Sequence, residues 1–314
     1  MEFKLTLLGT NGALPAYGRF PTAQWLQVHH RSYLIDCGEG TQMRMQAYQI
    51  KPGRLRAIFI SHLHGDHCFG LIGLLTSLNL TGRDKPLDIY SPPGLRGMIE
   101  AQLAPTGTAL QFPVRFHEVD PTLHTRIAED NQVTVHTIPL DHRIPCCGYL
   151  FREKERERNI YPEKIQEYDL SVPQIVAAKR GEDIHLHDGR TITSAELTTP
   201  PPPPRAYAFC SDTRYKPDIV PIVKGVDLLY HESTFCQEYT ERATETGHST
   251  ALQAAQIARA AEVGKLILGH YSSRYPDPAV FAAEAKILFG ESHAGLDGQT
   301  YNIPFDGRRI EEEG

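Results

Sequence analysis

The chain has 314 residues, with 32 Lys and Arg against 38 Asp and Glu, so its formal net charge is −6. This length suits one large domain, or one domain with an insertion. The apolar runs are too short to span a bilayer, and the N-terminal MEFKLTLLGTNG indicates a strand entering a turn, not a signal peptide. We therefore expect a cytoplasmic protein with no membrane segment.

The cysteines and the charge exclude further classes. The six cysteines contain no CxxC pair, which argues against a disulfide framework and against a cysteine-based zinc site. The acidic balance is unusual for a protein that binds RNA through phosphates. An RNA-binding function would therefore need local clusters of basic residues.

Short β-rich runs recur along the chain, with few helices between them. Two helices are predicted, from about Phe69 to Leu80 and from a cap at Ser249 or Thr250 to a stop at Gly264. This pattern predicts an α/β fold with mixed sheets. The predicted strands are Phe3–Leu8, Tyr33–Asp36, Ala57–Ser61, Val133–Ile138, Tyr207–Cys210, Leu228–His231 and Leu266–Gly269.

Residues 152–205 differ from the rest of the chain. They begin with the charge-alternating REKERER, contain a predicted hairpin around Asp188-Gly189, and end in the stiff run Pro200–Pro204. We predict that they form an inserted arm that projects from a core made of residues 1–151 and 206–314. The alternative is an ordinary long surface excursion.

The strongest chemical signal is SHLHGDH at residues 61–67, directly after the apolar run Leu55–Ile60. Three imidazoles and a carboxylate within six residues exceed what chance supplies. In a loop at a strand end, His62 and His64 could bind one cation, while Asp66 and His67 face a second. Imidazole and carboxylate ligands suit zinc.

Three further candidates share one placement. His142, Asp212 and His270 each lie just past a predicted strand, where open α/β sheets commonly build their sites. Alone, each would more often be an ordinary polar residue, but with the SHLHGDH loop they complete two sites. The two oxygens of Asp212 could bridge two cations.

These motifs resemble those of the ribonuclease Z family in the metallo-β-lactamase superfamily. The similar stretches are SHLHGDHCFGL, DHRIP, SDT, HEST at 231–234, HST at 248–250 and GHYSSRY. The resemblance implies an αββα sandwich with an inserted projecting arm. It also implies two zinc ions, one held by His62, His64, His142 and Asp212, the other by Asp66, His67, Asp212 and His270.

The resemblance also implies an activity, the removal of the 3′ trailer from precursor tRNA by a homodimer. In such an enzyme Asp66 would accept the proton of the attacking water. His248 would assist the leaving 3′ oxygen, and Glu232 would orient His248. Two stretches depart from the family's motifs: residues 15–20, PAYGRF, lack a lysine and an asparagine, and residues 170–174, LSVPQ, lack a Gly-Pro pair.

Two other functions compete with this one. A small-molecule hydrolase of the same fold would use the same ligands, but it has no obvious use for a projecting arm. A non-catalytic RNA-binding protein is disfavoured because the ligand set is intact. The remaining histidines are interpreted as structural or exposed, including the HxH pair at residues 185 and 187.

Overall fold

The computed structural model describes residues 2–305 and 311–313. Within them the chain forms two compact units. The main unit contains residues 2–152, 205–304 and 311–313, and the inserted unit contains residues 153–204 with Phe305. Residues 153–204 of the inserted unit lie inside the range 152–205 that the sequence sets apart, whereas Phe305 lies outside it.

The described residues of the main unit contain two large sheets, with strands numbered here in chain order. One sheet has the order β19-β18-β1-β2-β3-β4-β5-β6, and the other has the order β17-β16-β15-β14-β9-β8-β7. The strands of the first sheet are β1 (Phe3–Gly9), β2 (Ala23–Val28), β3 (Arg31–Cys37), β4 (Leu55–Phe59), β5 (Leu87–Ser91), β6 (Val114–Glu118), β18 (Thr300–Asn302) and β19 (Glu311–Glu313). Those of the second are β7 (Arg126–Glu129), β8 (Val133–Pro139), β9 (Cys147–Glu153), β14 (Ala206–Cys210), β15 (Leu228–Glu232), β16 (Lys265–Gly269) and β17 (Ser292–Ala294).

Helices of the main unit pack on the outer faces of both sheets. They are α1 (Thr41–Ala47), α2 (Gly65–Cys68), α3 (Leu71–Leu80), α4 (Leu95–Leu103), α8 (Thr240–Thr246), α9 (Ala251–Ala260) and α10 (Ala279–Ala285). Short 3₁₀ turns occur at Pro52–Arg54, Ala104–Thr106, Pro217–Ile219 and Gln237–Tyr239. Among the described residues, no helix combines the length and the hydrophobicity needed to cross a membrane.

Residue alternation along the strands explains the layers. In β4, Phe59 packs into the core between the sheets, whereas Ile58 packs outward against the layer that contains α3. In β16, Ile267 points inward and Leu268 points outward toward α9 and α10. The sheets are thus buried on both faces, as parallel strands with apolar runs require. This helix–sheet–sheet–helix order confirms the predicted αββα sandwich.

The inserted unit has its own small core. It consists of β10 (Asn159–Ile160), α5 (Pro162–Glu167), α6 (Val172–Lys179), β11 (Ile184–His185), β12 (Thr191–Ile192), α7 (Ser194–Leu197) and β13 (Thr198–Thr199). Leu170, Ala178, Ile184 and Leu197 are buried together in it. β11 and β12 form the predicted hairpin around Asp188-Gly189, so this stretch folds locally and is not an irregular loop.

Most predicted elements of the main unit are confirmed, but two helices differ in extent. The seven predicted strands correspond to β1, β3, β4, β8, β14, β15 and β16. The predicted helix from Phe69 to Leu80 starts two residues later, at Leu71, because Phe69 ends the separate short helix α2. The predicted cap at Thr250 is confirmed, since its hydroxyl accepts the backbone N–H of Gln253 at the start of α9. The helix predicted to stop at Gly264 ends at Ala260, because Glu262 adopts a left-handed backbone conformation with φ 54°.

Candidate metal centre

The structure brings together all seven side chains proposed as metal ligands. They follow four strands of the sandwich, β4, β8, β14 and β16. β14 and β16 both pair in parallel with β15, so their carboxyl ends meet at one edge of the second sheet. The seven residues fall into two groups and are His62, His64, Asp66, His67, His142, Asp212 and His270.

The first ligand group contains three imidazoles and one carboxylate, from His62, His64, His142 and Asp212. His64 Nδ1 lies 3.0 Å from His62 Nε2 and 3.3 Å from His142 Nε2. Asp212 Oδ2 lies 3.7 Å from the Nε2 atoms of both His62 and His142. Four potential ligand atoms therefore surround one point.

The second ligand group contains Asp66, His67, His270 and the other oxygen of Asp212. His67 Nε2 lies 3.3 Å from His270 Nε2, and both nitrogens lie 3.5 Å from Asp66 Oδ2. Asp212 Oδ1 lies 3.4 Å from His67 Nε2 and 3.1 Å from His270 Nε2. The two oxygens of Asp212 thus face different groups.

These spacings fit ligand atoms that share a metal cation. Ligand nitrogens and oxygens lie about 2.0–2.2 Å from zinc, so two ligands of a tetrahedral site are about 3.3–3.6 Å apart. The ligand-atom pairs described above lie 3.0 to 3.7 Å apart. The donors are imidazoles and carboxylates, which zinc accepts. The donor chemistry of both groups therefore fits a metal such as zinc.

Hydrogen bonds with neighbouring groups orient the imidazoles of His67, His142 and His270. His67 Nδ1 donates to Asp36 at 2.6 Å, and His142 Nδ1 donates to the carbonyl of Gly247 at 2.8 Å. His270 Nδ1 lies 2.9 Å from Thr234 Oγ1. With the proton on Nδ1, each ring presents the lone pair of Nε2 to the centre, as in many metal sites.

Electrostatics favour bound cations in both groups. Burial lowers the pKa of His62, His64 and His142, so these imidazoles are neutral and keep a lone pair. Around His67 burial also disfavours charge, but Asp212, Asp66 and Asp36 outweigh burial and raise the pKa. Such a concentration of carboxylates is the environment that a dication would neutralise.

His248 and Glu232 form a pair beside the first ligand group. Burial disfavours a charged His248, yet the charge and hydrogen bond of Glu232 outweigh this effect and raise the pKa of His248 to about 9. Glu232 Oε1 accepts from His248 Nδ1 at 3.0 Å and from the backbone N–H of Thr213 at 2.6 Å. Its Oε2 accepts from Thr234 Oγ1 at 2.6 Å and from the N–H of Ser249 at 3.1 Å. The pair therefore holds a protonated imidazole near Asp212.

The two groups open onto a cleft of about 370 Å³. Asp66, His142, His248 and His270 contribute to its polar lining. Other lining residues are apolar, among them Ala13, Pro15, Pro21 and Phe69, and two are charged, Glu39 and Arg143. A substrate could therefore reach both ligand groups and His248 from one side.

Asp36, Thr234 and Gly247 were missed as supporting residues in the sequence. Asp36 is fully buried and accepts from Ser61 and His67. It is the last residue of the predicted strand Tyr33–Asp36, close to the position after a strand that singled out Asp212, so a carboxylate at a strand end was a usable signal. The contact of Gly247 is a backbone carbonyl, and residue type cannot reveal such a contact.

The HxH pair outside the SHLHGDH loop takes no part in the centre. His185 and His187 are exposed in the hairpin of the inserted unit, and His185 Nδ1 lies 2.8 Å from Thr191 Oγ1. Spacing alone therefore does not distinguish the two HxH pairs. What distinguishes them is the burial of the strand that precedes the loop.

Comparisons with known proteins agree with this geometry. The structure superposes on the metallo-β-lactamase fold protein YhfI of Bacillus subtilis with a TM-score of 0.66, at 20% identity, covering 96% of this chain and 100% of that one. Human tRNase Z, short form, superposes with a TM-score of 0.71, at 28% identity, covering 96% and 99% of the two chains. In sequence, ribonuclease Z of Parabacteroides distasonis is 45% identical over 302 residues, 96% of this chain and 99% of that protein. Residues 3–199 match the family model described as anti-Pycsar protein Apyc1.

The sandwich and its strand-end ligand groups define a protein of the metallo-β-lactamase fold. Sequence identity over nearly the full length of the ribonuclease Z relative then identifies the family within this fold. The chain belongs to the ribonuclease Z family, and through residues 3–199 also to the sequence family described as anti-Pycsar protein Apyc1. The family resemblance of the motifs is thereby confirmed.

Proposed function

We propose that this chain removes the 3′ trailer from precursor tRNA with two zinc ions, cutting on the 3′ side of the discriminator nucleotide. Its membership in the ribonuclease Z family makes it a hydrolytic tRNA 3′-processing endonuclease, which is a phosphodiesterase. The observation that carries the two-metal proposal is the Asp212 carboxylate, whose oxygens face two separate ligand groups. The products would be a tRNA with a 3′-hydroxyl and a trailer with a 5′-phosphate.

Each ligand group would hold one zinc ion, with Asp212 shared between them. When bound, two zinc ions lower the pKa of a coordinated water and neutralise charge on the phosphoryl oxygens. Asp66 would accept the proton of the attacking water. His67 and His270 outweigh the effect of burial and lower the pKa of Asp66, which keeps it ionised, and the backbone N–H of Ala13 fixes its Oδ2 at 2.7 Å.

His248 would act on the opposite side of the reaction. As phosphorus is attacked, the bond to the 3′ oxygen of the tRNA breaks, and this oxygen needs a proton. His248 holds one, because Glu232 raises the pKa of the imidazole to about 9. Glu232 touches no substrate in this proposal and acts through His248, so it is a positioning residue.

The proposal extends to the assembly and the compartment. We place the protein in the cytoplasm, which fits six cysteines that are all free and buried. We expect a homodimer, in which the inserted unit of one subunit holds the tRNA that is cut at the other. Light scattering coupled to size-exclusion chromatography would measure the mass, and a monomeric mass would remove the homodimer from the proposal.

The test combines metal analysis with product analysis. Purified protein should contain about two zinc ions per chain after mild dialysis. Incubated with a precursor tRNA of defined trailer, it should release a trailer with a 5′-phosphate. If the zinc-loaded protein leaves precursor tRNA intact but hydrolyses bis-p-nitrophenyl phosphate, it is a small-molecule hydrolase and the proposal is wrong.

Paired variants sharpen the metal assignment. Asp212→Ala removes a ligand from both groups, so it should lose more zinc than His62→Ala, and both variants should lose activity. His187→Ala, which alters the other HxH pair, is the matched control and should keep both the zinc content and the hydrolysis of bis-p-nitrophenyl phosphate. Normal zinc content in Asp212→Ala would contradict a bridging role.

A further inference from the structure

Phe69 is an exposed aromatic residue at the edge of the reaction cleft. Its side chain remains 60% exposed, although it directly follows the helix that carries Asp66 and His67. It lines the same cleft as His248, together with the apolar residues Ala13 and Pro15. The ring therefore lies in a cleft that contains both apolar residues and polar site residues, and it is not an isolated surface residue.

The position of the ring is fixed by local structure. The backbone N–H of Phe69 donates to the carbonyl of Gly65 at 2.9 Å, which closes α2. The ring lies directly over Gly65, since a Cβ at that residue would meet a ring carbon at 2.5 Å. The glycine thus lets the ring rest against the backbone between His64 and Asp66. Phe69 is held on the same rigid element as two of the proposed metal ligands.

A cation completes this part of the cleft. Arg143 directly follows the proposed ligand His142, is exposed, and lines the cleft that contains Phe69. An aromatic face that accepts a base and a guanidinium that accepts a phosphate are the usual elements of single-stranded RNA recognition. An amino acid or a simple ester would not need both.

We propose that Phe69 is a stacking platform for one unpaired nucleobase next to the scissile phosphate, and that Arg143 contacts a phosphate of the same strand. The occupant is the single-stranded RNA that joins the acceptor end of the tRNA to its trailer. This inference rests on the proposed function. Stacking fixes where the strand lies relative to the ligand groups, so Phe69 contributes to the choice of the cleaved bond.

The test pairs protein variants with altered RNA. Phe69→Ala should lower kcat/KM on precursor tRNA by about 5- to 150-fold, the range of base–aromatic stacking, while Phe69→Trp should retain activity. Precursors with one abasic nucleotide, at the discriminator or at the first or second trailer position, should then be compared. At one of these positions wild type and Phe69→Ala should cleave the abasic RNA equally, because the stacking partner is already missing.

Controls separate stacking from damage to the fold. Leu80→Ala removes an 81% exposed apolar side chain at the far end of α3, and it should change nothing. Zinc content should stay normal in every variant, and Arg143→Ala should reduce the slope of log affinity against log salt by about one. Normal cleavage by Phe69→Ala, or an equal loss on all three abasic precursors, would overturn the inference. Wild-type protein that cuts no precursor tRNA would instead overturn the proposed function.

Discussion

Two opposing effects act on the pKa of the His248 imidazole. Burial disfavours the charged ring, whereas the buried carboxylate of Glu232 favours it and raises the pKa to about 9. Only 11% of the His248 side chain is exposed, so water screens this pairing little. Glu232 is itself held by backbone N–H groups of Thr213 and Ser249. Protonation of His248 therefore depends on several loops that meet around Glu232.

We predict that His248→Ala lowers kcat on precursor tRNA by about 10²–10⁴-fold, the usual contribution of a general acid, and leaves zinc content near normal. The loss should be smaller on bis-p-nitrophenyl phosphate, because p-nitrophenolate leaves without a proton. Single-turnover kinetics on both substrates measure the difference. His248→Gln can keep the hydrogen bond to Glu232 but carries no acidic proton. If this variant regains activity, or if both substrates slow equally, His248 has a structural role instead.

How much of the site the sequence predicts depends on how far apart the site residues lie along the chain. The SHLHGDH loop can be recognised in the sequence because its four ligand-type residues lie within six positions. His142, Asp212 and His270 were proposed from their position after strands, and the structure brings them beside the loop. The contacts of Thr234 and Gly247 depend on how loops meet in three dimensions. No local pattern contains that information.

Among elements, strands with long apolar runs were the most predictable. β14, β15 and β16 are buried on both faces and read as continuous hydrophobic sequence. The sequence does not predict the interior strands β2, β5 and β9, nor the edge strands and the short pairs of the inserted unit, apart from the hairpin at Asp188-Gly189. α6 was also missed, since its capping box at Ser171 and Gln174 lies in a stretch with weak periodicity.

The start of α9 gives a prediction at this scale. Thr250 Oγ1 accepts from the N–H of Gln253, and Gln253 Oε1 accepts from the N–H of Thr250 at 2.9 Å. Thr250→Ala removes one half of this capping box and should lower the free energy of unfolding by about 1 kcal/mol. Denaturant unfolding measures the change. Thr250→Ser keeps the hydroxyl and serves as the control, so an equal loss in both variants would assign the effect to packing of the threonine methyl group.

For the whole molecule, the net charge of −6 must be reconciled with an RNA substrate. The proposed zinc ions would offset part of this charge at the site. In the inserted unit, Lys164, Lys179 and Arg190 are paired with nearby carboxylates at 2.8, 3.1 and 2.7 Å. Exposed Arg180 has no ion pair with the described residues. Few basic side chains of the inserted unit are therefore without an ion pair to the described residues. Deletion of the unit tests its contribution to tRNA binding.

The insertion point makes a clean deletion possible. Arg152 and Ala206 are partners on adjacent antiparallel strands, so Asn-Gly can replace residues 153–204 and form a three-residue hairpin connection with Arg205. We predict normal zinc content and normal hydrolysis of bis-p-nitrophenyl phosphate in this variant. Cleavage of precursor tRNA should fall sharply, mainly through a higher KM, because binding energy remote from the reacting bond is lost.

Arg180→Glu in the intact chain should also raise KM, and it should weaken tRNA binding most at low salt, where a phosphate contact is strongest. If the truncated protein cuts precursor tRNA as well as the full chain does, the inserted unit is not the tRNA grip, and substrate selection must come from the cleft alone.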